Sequence, residues 1–177
     1  MVLAGTRLCF DRTDHPEMFL TEVLPWMRKH ALTSDIMVLN FGLHGMLPPD
    51  AYAVAHYMKR YKDTLPFAMW KDVSATHFNS SDGGFPGKEV LQYPCVPRPT
   101  AAEHSGLTYW LNSVTLPIIE AADIPIIADS QQTEALYNYH RAGECTHFCF
   151  PSAPQIWVHT LYQTLLKHQQ DLRPIQF

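Results

Sequence analysis

Ser34-Asp35-Ile36-Met37-Val38-Leu39-Asn40-Phe41-Gly42-Leu43-His44 decides the fold. The apolar run Ile36 to Phe41 is short and bounded by turn and cap residues, so it reads as a buried strand. It shows no polar alternation, as expected for a strand covered on both faces in a parallel sheet. Runs of the same kind occur at Arg7 to Phe10, Phe67 to Val73 and Pro125 to Ala128. Helical patterns lie between them: Pro16 to Leu32, with Asp14 as cap and a kink at Pro25; Asp50 to Thr64; and Leu107 to Ala122, interrupted at Pro117. Strands alternating with helices predict an α/β three-layer sandwich with a mostly parallel sheet.

A last helix over Pro154 to Gln169 carries Ile156, Trp157, Leu161, Leu165 and Leu166 as an apolar stripe for the core. The segment Asn79 to Gly106 is rich in Gly, Pro and Ser and reads as a long irregular excursion of the kind that often carries function. The whole chain, 177 residues, fits a single domain. Its formal net charge is −4, and no block of Lys or Arg is present, which argues against nucleic acid or an anionic membrane as partner. No segment approaches the length of a membrane span, and the start of the chain is too poor in apolar residues for a signal peptide. Cys9, Cys95, Cys145 and Cys149 allow three pairings, which the count alone leaves open.

Ligand sites in open α/β sheets form at the carboxyl ends of strands. After the first quoted run, Asn40 and the Gly42 backbone N–H could stabilise an oxyanion, or Asn40 could simply bond loop backbone. After Phe67 to Val73 comes Ser74-Ala75-Thr76-His77-Phe78, where His77 is a candidate substrate contact and equally a structural histidine. Ser74 and Ser80 lack a glycine elbow and do not resemble activated nucleophiles. The richest motif is Glu144-Cys145-Thr146-His147-Phe148-Cys149-Phe150-Pro151. An acid three residues before a histidine on one loop can fix its tautomer and support an imidazolium. Cys145, His147 and Cys149 alternate, so a zinc site is the competing reading; the spacing lacks the usual metal-knuckle gap, and no metal or other cofactor is expected. The remaining histidines, His15, His30, His56, His104, His140, His159 and His168, read as surface or helix-face residues.

Four blocks in order resemble the PC-esterase group of SGNH hydrolases, which includes the plant trichome-birefringence-like polysaccharide O-acetyltransferases. They are Leu8-Cys9-Phe10-Asp11-Arg12-Thr13-Asp14; Ser34 to His44; Ser74 to Phe78 with Gly83, Gly84 and Cys95; and Glu144 to Pro151 with Trp157. The resemblance spans Leu8 to Trp157. It implies an SGNH, flavodoxin-like sandwich acting on acylated glycans or other acylated small molecules, in the Golgi lumen or secretory pathway. It casts His147 as general base, Glu144 as its orienting acid, Asn40 and Gly42 as the oxyanion region, and His44 and His77 as substrate contacts. It further implies a Cys95 to Cys145 disulfide, and matches Asp129 to an acid at a strand end. Two departures stand out. Glu144 replaces an Asp, which a triad tolerates. The family's Gly-Asp-Ser nucleophile block has no counterpart, Gly5-Thr6-Arg7 being the nearest by position, so the first strand is expected to be missing and the chain to be a partial or diverged copy, whose own activity the absent serine leaves open. Alternatives are a glycan-binding protein without catalysis, using aromatics such as Trp70, Tyr109 and Trp110, and the small zinc protein.

Overall fold

The computed structural model describes residues 16–41, 48–80, 84–85, 94–97 and 107–172. The run Arg7 to Phe10, the cap Asp14, and Gly42, His44 and Cys9 lie outside these residues. The elements run α1 (Pro16–Met18), a π-helical segment (Phe19–Val23), α2 (Leu24–His30), β1 (Ile36–Leu39), α3 (Pro48–Arg60), β2 (Phe67–Lys71), α4 (Leu107–Ala121), β3 (Ile126–Ile127), α5 (Ser130–Thr133), a 3₁₀ turn (Tyr137–Tyr139) and α6 (Ala153–Lys167). The fold is α/β, with a three-stranded parallel sheet in the order β1-β2-β3. Ile36 pairs with Phe67 and Trp70 with Ile126.

The expected kink at Pro25 takes a particular form. Pro25 has no N–H to give to Thr21, and its ring crowds that carbonyl. The helix widens just before it, and the Leu24 N–H bonds the carbonyl of Phe19, five residues back. At the far end of α4, Asp123 takes the left-handed conformation (φ 61°) and Ile124 N–H reaches back to Ile119 O, closing the helix as a glycine would. Lys59 of α3 holds that end shut, bonding Ala121 O at 3.2 Å and Asp123 Oδ2 at 3.1 Å.

One face of the sheet, with Met37, Leu39 and Trp70, packs on Phe19, Leu24, Val54, Ala55, Met58 and Ile119 from the helices above it. On the other face α6 lies against β3, and His168 just beyond it meets the ring of Phe67. Helices thus cover both faces, which is compatible with the expected sandwich. Coverage is unequal, however. Ile36 and Val38 of β1 remain 46% and 44% exposed, so this strand, apolar throughout in sequence, buries only its odd-numbered side. Leu39→Ala is therefore expected to cost about 2–4 kcal/mol of stability and Val38→Thr less than about 0.5 kcal/mol. Urea denaturation of both variants checks this; equal losses would mean that the even-numbered side is packed too.

Candidate functional site at the strand ends and the 140–149 loop

Three strand ends supply a knot of polar groups. Asn40, just past β1, donates both amide hydrogens to main-chain carbonyls, Lys71 O at 2.9 Å and Asp72 O at 2.8 Å. Lys71 ends β2, and its ammonium donates at 2.9 Å to Asp72 O, Ser74 Oγ and Asp129 Oδ1, which accounts for its three hydrogens. The Asp72 carboxylate accepts from the backbone N–H groups of Asp129 and Ser130, at the start of α5. Trp157 of α6 donates to Ser74 Oγ at 3.1 Å, and Asn112 of α4 bonds both the N–H and the carbonyl of Val73. Asp129 Oδ2 is buried without a partner among the described residues. Burial pushes the Asp129 carboxyl up to about 6; Lys71 opposes the rise and Asp72 adds to it.

This arrangement revises several expectations. Asn40 straps β1 to β2, and its amide hydrogens are committed to carbonyls rather than aimed at an oxyanion. Ser74 accepts from both Lys71 and Trp157, which fills its two lone pairs. Asp129, carried over by the resemblance, takes a structural place in the knot. Lys71 and Asn112 were not singled out in sequence, because a lysine at a strand end or an asparagine in a helix gives no signal until its partner is near.

The loop after α5 carries the second part of the site. His140 and Phe148 form an antiparallel bridge; Arg141 N–H donates to His147 O at 3.0 Å and Cys149 N–H to Tyr139 O at 2.7 Å. Gly143 turns the loop at φ 81°, where a side chain would be strained. Within it, His147 Nδ1 is hydrogen-bonded to Glu144 Oε2, joining acid and imidazole as the spacing suggests. Nε2 has no hydrogen bond among the described residues, and the His147 side chain is 64% exposed. Cys145 is disulfide-bonded to Cys95, clamping the loop to residues 94–97. The zinc set of Cys145, His147 and Cys149 thereby loses a thiolate, and the described residues hold no other group of three or more metal-ligating side chains. Cys149 is an exposed free thiol.

His77 is fully buried. Its Nε2 lies 2.9 Å from Glu134 O and its Nδ1 2.6 Å from His140 Nε2, while its backbone N–H bonds Cys145 O. The substrate-contact expectation gives way to the structural one. His140, read as a surface residue, is half-buried in this pair. The loop and the strand-end knot meet through Phe148, whose ring packs edge-on to Trp157 at 6.1 Å. A cleft of about 1010 Å³ opens at the opposite, amino ends of β2 and β3, beside Pro66, Pro125, Thr164 and Lys167, and contains none of these groups. No helix among the described residues is long and apolar enough to cross a membrane. Comparison of the chain with protein-family models, with curated proteins and with solved structures finds no match.

Proposed function

We propose that this chain is an acyl-transfer domain of SGNH, PC-esterase type, acting on acylated glycans or similar esters. The single observation behind the reading is the Glu144–His147 pair, a hydrogen-bonded acid and imidazole on a clamped loop with the imidazole open to solvent. In this mechanism His147 Nε2 takes the proton from a hydroxyl attacking the ester carbonyl and returns it to the leaving oxygen, while Glu144 supports the transient imidazolium. The oxyanion is held by main-chain N–H groups, since the Asn40 side-chain donors are engaged. The attacking hydroxyl is not Ser74, whose oxygen is saturated. A disulfide suits an oxidising compartment such as the secretory pathway.

Incubation of the purified chain with an aryl acetate tests the proposal. Hydrolysis is expected to fall about 100-fold in His147→Ala. Turnover that survives the substitution unchanged would remove His147 from the mechanism. A second reading, glycan binding without catalysis, draws on Tyr139 and Phe150, which expose large aromatic surfaces on or beside the same loop. Saturable binding of an acetylated oligosaccharide with no acetate released selects that reading.

A further inference from the structure

The outer side of α6 carries an exposed apolar row. Ala153 and Thr164 are the buried residues of this helix, whereas Val158, Tyr162 and Leu166 are 67%, 57% and 44% exposed. Standing four residues apart, these three form one continuous ridge. From Ala153 to Leu166 the helix bears no Asp, Glu, Lys or Arg, and the residues flanking the ridge, Gln155, His159 and Gln163, are exposed and uncharged at neutral pH. A helix face that meets only water ordinarily carries charge. Loss of charge around a central aromatic is instead the composition of an interface core. β1 supplies a second uncovered surface on the same side of the sheet. Its Met37 and Leu39 point towards α2, α3 and α4, so Ile36 and Val38 point to the side where α6 lies. α6 packs on β3 and leaves those two side chains open.

We propose that a second copy of this chain occupies this surface, the two α6 helices packing antiparallel across a two-fold axis at Tyr162. The register is self-complementary. Val158 and Leu166 stand equally far on either side of Tyr162, so the axis sets the smaller Val158 of one copy against the larger Leu166 of the other, twice, with the two Tyr162 rings between them. No like charges meet along the seam, although each copy has a formal net charge of −4. An unrelated partner would have to bring its own complement to this ridge, whereas a second copy brings one by symmetry. Area sets the strength of the contact. A helix of 15 residues is about 22 Å long and about 10 Å across, so the helix pair alone falls short of the roughly 800 Å² per partner of a stable interface. Ile36 and Val38 enlarge the footprint, and the dimer is expected to be reversible and micromolar. The inference does not rest on the acyl-transfer reading.

Sedimentation velocity of the intact chain from about 1 µM to about 500 µM tests it, since a dimer in this range responds to concentration by mass action. The wild-type chain is expected to pass from monomer to dimer as concentration rises. Tyr162→Glu brings two carboxylates together at the axis and should weaken association by at least about 30-fold. Tyr52→Glu removes a similarly exposed aromatic from α3, on the other side of the sheet, and should leave association unchanged. Urea midpoints at the lowest concentration establish that both variants fold. In a mixture of isotope-labelled and unlabelled wild-type chains near the top of the range, filtered NOEs between Val158 methyls of one copy and Leu166 methyls of the other are expected; this measurement needs no variant. A chain that stays monomeric throughout overturns the proposal, whether or not some other protein binds α6. So does a dimer that a folded Tyr162→Glu leaves intact, one that Tyr52→Glu disrupts equally, or one without the Val158 to Leu166 contact.

Discussion

Cys95→Ser/Cys145→Ser is expected to lower the free energy of unfolding by about 4 kcal/mol, on the chain-entropy model for a cross-link closing a loop of this length. The bridged residues are 50 apart in sequence. For a chain of this size the loss corresponds to a fall of roughly 10 °C in Tm. The effect is also local. Cys145 O accepts from His77, and Val96 beside Cys95 donates to His77 O, so the bridge gathers three segments around one buried histidine. Glu144 and His147 flank Cys145 closely, and the clamp is what limits their freedom. Urea melts of the oxidised chain and the double variant measure the first effect; loss of exchange protection at Arg141 and Cys149 measures the second. A double variant as stable as the parent would show that neighbouring hydrogen bonds hold the loop without the bridge.

The second large effect concerns Asp129 and Lys71. Asp129 has its pKa raised from 3.8 to about 6, so the folded chain binds this proton more tightly than the unfolded chain does. Stability from this group is therefore greatest below about 4, declines as pH rises towards about 6 and is constant above, for a total of about 3 kcal/mol. The dominant cause is desolvation, because Oδ2 is buried with no hydrogen-bond donor to it among the described residues. Asp129→Asn should make stability less dependent on pH across this window by up to about 1.4 kcal/mol per pH unit, since one titrating proton is removed. Denaturation midpoints at several pH values compare the two, and identical slopes would place the group in solvent. Lys71→Met is expected to be more damaging. It leaves Asp129 and Asp72 facing one another without their shared cation, at a cost of about 3–5 kcal/mol near neutral pH.

The parts of the molecule that sequence could read are those governed by local rules. The predicted spans match the observed α3, α4 and α6 within a few residues, although α4 runs through Pro117 instead of being interrupted there. Short apolar runs identified β1, β2 and β3, though Asn40, Phe41, Asp72 and Val73 fall outside the strands; the Val73 N–H and carbonyl turn to the Asn112 side chain instead. The Glu144–His147 pair was legible for the same reason: the two residues are three apart on one loop. Asn40 and His77 were harder. Their types suit both a ligand site and a structural bond, and only the neighbour decides which.

Local patterning by itself determined the α/β alternation, the helix limits and the acid-imidazole couple, because each depends on residues a few positions apart. Tertiary structure alone decided that Lys71, Ser74, Asp129 and Trp157 share one knot, that His77 bonds His140 across 63 positions, and that one side of β1 stays uncovered. The reason is physical: whether a polar group is buried, and what answers its hydrogen bonds, depends on which distant segment folds against it, and no periodicity or spacing carries that information.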